Sequence, residues 1–271
     1  MPNARTVAAA ISRKPVALVT GASAGIGAEL ARVFAANGYD LVLVARSEDK
    51  LRALADGLHA QHGARCSVVA QDLAAEGAPQ KVFAETQRRD LPVDVLVNNA
   101  GLLHRGSFID TELSLQMRLV QVNIVASTAL AHLFLKPMLE RRSGRILNIA
   151  STAAFQPLPY LSTYAASKAY LLFVSEALAI EARGTGVTVT AACPGFTNTD
   201  MIARDGGKAM NVPFVRNMEA AEVAQQSFDA CMSGKPLLII GLANRATVEI
   251  ARYQPRPWRR WASLRVAKRG F

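Results

Sequence analysis

The chain has 271 residues, 51% of them apolar and 19% charged, with a formal net charge of +10. That length supports one well-buried core and falls in the range of a single α/β domain. The longest apolar runs, such as Leu41 to Ala45 and Leu237 to Ile240, are strand-sized and fall short of the roughly 18 to 20 residues that a membrane-spanning helix needs. The run Val7 to Ile11 is likewise too short for the apolar core of a secretory signal, so a cytoplasmic location is the expectation. Cys66, Cys193 and Cys231 are far apart and form no CxxC pair, so neither a disulfide framework nor a metal site is expected. The positive charge sits at the end. Arg245 to Phe271 holds eight Lys or Arg against one acid, Glu249, a net of +7 (8 − 1), and the body is close to neutral. A basic tail without a recognised motif does not predict nucleic-acid binding.

Strand-like runs alternate with helix-length amphipathic segments, the pattern of βαβ units and a parallel sheet. The first strand, Val16 to Val19, and the first helix, Ile26 to Asn37, flank Thr20-Gly21-Ala22-Ser23-Ala24-Gly25-Ile26-Gly27. Glycines there let the backbone turn tightly and approach a pyrophosphate, whose charge is favoured by the N–H groups at a helix start. The spacing is GxxxGxG rather than GxGxxG. The second strand, Leu41 to Ala45, ends where an acid would hold the ribose 2′-hydroxyl of NAD. Arg46 follows Ala45 instead, and a guanidinium can hold a 2′-phosphate through charge-assisted hydrogen bonds, so NADP(H) is expected in preference to NAD(H).

A helix over Ser47 to Gln61 leads to a third strand, Cys66 to Ala70, and then to Asp72, an acceptor for an adenine amino group or equally a helix cap. Next come a helix over Ala78 to Asp90, a strand over Val93 to Val97 and a helix over Glu112 to Glu140, in which Asn123 is polar in apolar surroundings. The strand Arg145 to Ile149 places Ser151 at its end, and the helix Tyr164 to Arg183 puts Tyr164 and Lys168 on one face, four residues apart. A phenol beside a cation becomes a better acid–base group near neutral pH, and a serine hydroxyl can hydrogen-bond a reacting oxygen. A strand over Val187 to Ala192, a helix over Ala220 to Ser233 and a seventh strand over Leu237 to Ile240 complete the alternation. Two segments stand outside it. Asn198 to Met218 reads as a flap over the site or an ordinary surface insertion, and the tail from Tyr253, with Trp258 and Trp261 among its arginines, as a piece that packs on the body or on a membrane surface. The expected division is a catalytic domain over 1–252, with its flap at 198–218, and a basic tail over 253–271.

Together these motifs resemble the classical short-chain dehydrogenase/reductase family. The matching pieces are the run Thr20 to Gly27, Asn98-Asn99-Ala100-Gly101, Asn123, Ser151, Tyr164-Ala165-Ala166-Ser167-Lys168, and Pro194-Gly195 with Thr199 beyond. The resemblance implies a single doubly wound, Rossmann-type parallel sheet of seven strands in the order 3-2-1-4-5-6-7, with helices on both faces. It implies that Tyr164 is the acid/base, that Ser151 orients the substrate carbonyl, that Lys168 binds the nicotinamide ribose and lowers the tyrosine pKa, and that Asn123 completes a proton relay. Cofactor contacts would come from Gly21, Ser23, Gly25, Ile26, Gly27, Arg46, Asp72, Asn98, Ala100, Gly101, Tyr164, Lys168, Pro194, Gly195 and Thr199. The implied activity interconverts a ketone or aldehyde and an alcohol. Leu102, Leu103, Phe155, Leu158, Phe196 and Met201 make the expected pocket apolar and its substrate lipophilic. His104 and Arg105 are expected as pocket-wall or loop residues. A homodimer or homotetramer is expected, with a weak peripheral membrane contact through the tail. The competing readings are an extended-type epimerase or dehydratase, which the short region after Gly195 disfavours, and a cofactor-sensing protein, which would tend to lose Tyr164 or Lys168.

Overall fold

The computed structural model describes residues 13–198 and 217–255, together with 257, 258, 260, 263 and 264. Seven parallel strands form its sheet: β1 (Val16–Thr20), β2 (Asp40–Ala45), β3 (Cys66–Ala70), β4 (Val93–Asn98), β5 (Gly144–Ile149), β6 (Val187–Cys193) and β9 (Leu237–Ile239), in the order β3-β2-β1-β4-β5-β6-β9. Two short strands, β7 (Thr197–Asn198) and β8 (Met218–Glu219), pair with each other outside this sheet. The expected seven-stranded order is therefore observed. Each strand is an almost continuous apolar run because both faces of the sheet are covered. In β1, Ala17 and Val19 enter one core while Val16 and Leu18 enter the other, the two-residue alternation of a strand.

One face is covered by α1 (Gly25–Ala36), α2 (Glu48–His62) and α7 (Ala220–Met232). Phe34 of α1 lies at its centre, fully buried, with its ring edge-on to Tyr39 at 5.1 Å and to Phe228 at 5.0 Å. Burying such a side chain contributes about 1.5–3 kcal/mol, so these three rings fix α1 and α7 to each other as well as to the sheet. The other face is covered by α3 (Ala78–Arg88), α4 (Leu113–Glu140) and α5 (Ser162–Glu181). Leu130, Phe134 and Met138 of α4 pack there against Leu96 and Ile146. On length and composition α4 is apolar enough to cross a membrane, contrary to the expectation from unbroken apolar runs. In this fold it uses its apolar side on β4, β5 and α3, as core helices do.

One turn of α4, Gln121–Ala126, is π-helical. Ser127 Oγ donates to the Asn123 carbonyl at 2.6 Å, and Thr128 Oγ1 to the Ile124 carbonyl at 2.8 Å, which re-satisfies carbonyls in that turn. After β9 the chain forms an amphipathic helix, α8 (Leu242–Tyr253), that the sequence reading did not include. Apart from Asn198, Asn217 and Met218, the expected flap lies outside the described residues.

Candidate active site

A cavity of about 630 Å³ opens at the carboxyl ends of β1, β2, β4, β5 and β6, where the strand order reverses between β1 and β4. Ligands of doubly wound sheets bind at such a reversal. The turn after β1 lines one side with Gly21, Ser23, Ala24, Gly25, Ile26 and Gly27. Its backbone is too close to neighbours for side chains: a Cβ on Gly27 would stand 2.3 Å from the Gly21 carbonyl oxygen, and one on Gly21 2.9 Å from Asn99 Nδ2. Gly21 and Gly25 also adopt φ of 68° and 55°, which favour glycine. Helix α1 begins at the cavity wall without a side-chain cap and without an acid in its first turn, so no side chain of the helix start competes for its leading N–H groups. That is the arrangement a pyrophosphate requires.

Beyond the turn, Arg46 and Ser47 follow β2 at the cavity edge; Arg46 is exposed and makes no ion pair among the described residues. Asp72 lies on the same side after β3, but its carboxylate is already engaged. Oδ1 accepts from Ala74 N at 3.0 Å and Oδ2 from Arg118 Nη2 at 2.6 Å, which ties the end of β3 to α4. Thr20 organises the neighbouring β4 end. Its Oγ1 donates to the Val97 carbonyl and accepts from Asn99 N and Ala100 N. Asn98 is placed differently from the expectation: strand alternation turns its side chain into the core, where it donates to Asn148 Oδ1 at 2.9 Å and the Ser127 carbonyl at 3.3 Å. Asn99, together with Ala100 and Gly101, lines the cavity instead.

The opposite end brings Ser151, Tyr164 and Lys168 together. Pairing continues past the ends of β5 and β6, with Ala150 N bonded to the Ala192 carbonyl at 2.8 Å and Thr152 N to the Pro194 carbonyl at 2.9 Å, so Ser151 runs beside Pro194 and Gly195. Ser151 is extended and caps the short helical turn Thr152–Phe155, its Oγ accepting from Ala153 N at 3.1 Å. Burial pushes the Tyr164 phenol above its ordinary pKa, and the neighbouring Ser151 side chain works the other way. Lys168, 5% exposed, donates from Nζ to the Ile149 carbonyl at 2.7 Å, and Nζ lies 5.9 Å from the centre of the Tyr164 ring. Burial lowers this ammonium to about 8. In the protein alone, therefore, the tyrosine is moved upward by its surroundings rather than downward.

The carboxamide of Asn123 is bound to the loop after β4 and to α5. Its Oδ1 accepts from Leu102 N at 2.7 Å, and its Nδ2 donates to the Leu102 carbonyl at 2.9 Å and to Ser167 Oγ at 2.9 Å. Both amide hydrogens are thus committed, and the side chain braces the loop after β4. Pro194, Gly195, His104 and Arg105 line the cavity as expected, while Thr199 lies outside the described residues. Among the described residues no cluster of His, Cys, Asp or Glu could hold a metal ion.

The family model for short chain dehydrogenases matches residues 15–208, most of the chain. The chain belongs to the short-chain dehydrogenase family. Its members are oxidoreductases acting on alcohol and ketone groups. A rat relative, dehydrogenase/reductase SDR family member 7B, is 33% identical over 97% of this chain and 85% of its own length. A short-chain dehydrogenase from Sphingobium yanoikuyae, solved in complex with NADPH, superimposes with a TM-score of 0.80 at 32% identity over 88% of this chain and 93% of its own. The bulky-bulky ketone specific alcohol dehydrogenase from Comamonas testosteroni does so with a TM-score of 0.75 at 29% identity over 88% and 92%. In this short-chain dehydrogenase, the cavity also takes wall residues that sequence reasoning missed: Arg118, and Asn244, Thr247, Val248 and Ala251 of α8. The signal for α8 was its strong amphipathicity, hidden within the charge-rich end of the chain.

Proposed function

We propose that this oxidoreductase interconverts a lipophilic ketone or aldehyde and its alcohol with NADP(H) in preference to NAD(H). The convergence of Ser151, Tyr164 and Lys168 at one end of a cavity whose other end carries Arg46 is the observation that supports this reading most directly. The bound dinucleotide would supply or accept a hydride. The glycine turn and the start of α1 would hold its pyrophosphate, Arg46 and Ser47 its 2′-phosphate, and Lys168 its nicotinamide ribose, since Nζ has two donors left after Ile149.

In the reducing direction, the Tyr164 hydroxyl gives its proton to the developing alkoxide. Ser151 Oγ accepts from Ala153 N and so directs its own hydrogen at the substrate oxygen, stabilising charge where it develops. Lys168 favours the phenolate left behind, and Asn123 keeps the 101–103 loop against the site. Leu102, Leu103, Phe155, Leu158 and Phe196 exclude water and favour an apolar substrate body. The ketone named for the Comamonas testosteroni neighbour is in keeping with that lining.

A homodimer or homotetramer belongs to this reading, as does a cytoplasmic location, in keeping with three free cysteines. The exposed Leu242, Ile250, Tyr253 and Trp258 beside Arg245 and Arg252 support a weak peripheral contact with anionic lipid. The test is a ketone screen that follows NADPH oxidation, with NADH in parallel, on the unmodified protein and on Tyr164→Phe. Turnover with NADPH well above that with NADH is expected, with a loss of about 10²- to 10⁴-fold in the folded Tyr164→Phe protein. Equal use of both cofactors would remove the Arg46 assignment, and full activity in Tyr164→Phe would remove the proton donor.

A further inference from the structure

One wall of the cavity comes from chain beyond the last sheet strand. Helix α8 packs on the 152–155 turn, and its Asn244 lies so close to Gly195 that a Cβ there would be 2.4 Å from Asn244 Nδ2. Val248 and Ala251 give this wall an apolar surface. Ser263 lines the same cavity with only 2% of its surface exposed, and its Oγ has no hydrogen-bond partner. Buried helical hydroxyls elsewhere among the described residues bond to a carbonyl one turn earlier, as Ser175 does with Leu171 and Ser227 with Val223, while Thr188 and Thr190, also without a partner, lie within a strand and not on the cavity. Ser263 makes no such bond, although leaving a buried hydroxyl unsatisfied is costly.

We propose that Ser263 determines substrate specificity: its Oγ hydrogen-bonds an oxygen that the substrate carries away from the reacting carbonyl. The reacting oxygen is already served by Ser151 and Tyr164, so the Ser263 partner is a second group. This deepens the oxidoreductase reading and rests on it. The substrate class becomes an amphiphilic ketone or alcohol, a hydrocarbon body with a hydroxyl or carbonyl at its far end, rather than a plain hydrocarbon ketone. A site that hydrogen-bonds a substrate group discriminates against the analogue lacking it, because its own polar atom is then left unpaired.

The experiment uses bicyclic and steroidal monoketones, each paired with an analogue bearing a hydroxyl at the end remote from the carbonyl. The unmodified protein is expected to favour the hydroxylated member of at least one pair by roughly tenfold or more in kcat/KM. Ser263→Ala should erase that preference by raising KM for the hydroxylated member and, with no hydroxyl left unpaired, by lowering KM for the plain ketone or leaving it as it was. Ser263→Thr, which keeps a hydroxyl, should restore part of it. An unmodified protein without preference in any pair, or a preference unaltered in Ser263→Ala, overturns the proposal. If no ketone is turned over, the oxidoreductase reading fails first, and thermal melting with the same ligands decides on Ser263. Ser263→Ala should then melt no lower than the unmodified protein and gain less from the hydroxylated ligands; equal gains overturn the assignment.

Discussion

The cost of burying a cation is written in Lys168. Its pKa of about 8 lies below the ordinary 10.5, so the folded protein holds fewer protons than the unfolded chain between those values. Stability contributed through this group therefore rises with pH across that window, and below about pH 8 the full penalty of a buried ammonium is present. Lys168→Met keeps the length of the side chain and removes the charge. It should be more stable than the unmodified protein at pH 7, by up to about 3 kcal/mol before the lost bond to Ile149 is subtracted. The difference should shrink as pH rises from 8 to 10.5. Urea denaturation over that range measures it, and a difference independent of pH would show that burial does not tax this lysine. At this scale the sequence was legible wherever spacing alone fixes geometry, as between Tyr164 and Lys168 on one helix. It was not legible where side-chain direction decides. Asn98 and Asn99 are adjacent and chemically alike, and only the alternation at the end of β4 sends the first into the core and the second to the cavity. The commitments of the Asn123 carboxamide depend on a π-helical turn that no residue pattern announced.

Among elements, the strand–turn–helix unit from β1 to α1 carries the tightest constraint. Gly27→Ala would press a Cβ against the Gly21 carbonyl and force α1 away from the turn. Overpacking of this kind costs about 1–3 kcal/mol, and the N–H groups at the start of α1 would move with the helix. A lowered melting temperature and NADPH binding weakened about tenfold or more are expected, the latter followed by cofactor fluorescence. Gly38→Ala is the control. Its Cβ would meet nothing within 4 Å, but φ of 84° strains any other residue, so it should lose stability without losing cofactor affinity. Unchanged NADPH affinity in Gly27→Ala would separate the turn from the cofactor site. The seven strands could be read from sequence because burial on both faces makes them predominantly apolar runs between turn residues. Helix α8 could not, since its buried face of Asn244, Val248 and Ala251 is narrow and its mean composition is that of a charged tail.

Seen as a whole, the molecule leaves large apolar side chains in solvent on two neighbouring helices. Phe173 and Ile180 of α5 are 69% and 61% exposed, and Leu113 and Met117 of α4 are 75% and 56% exposed. Surfaces of this kind mark association sites, and a second copy of the chain is the partner that the proposed assembly supplies. Light scattering should give a dimer or tetramer for the unmodified protein and a smaller species for Phe173→Glu; a monomer in both would discard that assembly. The sheet order has one more consequence, for the ribosome. Strand β1 pairs with β2 on one side and must wait for β4 on the other, so the two halves of the cofactor cradle join only midway through synthesis. The wall of α8 and Ser263 arrives last of all. A nascent chain with its sheet closed therefore has the glycine turn and both sheet halves in place before the last wall of the cavity is built.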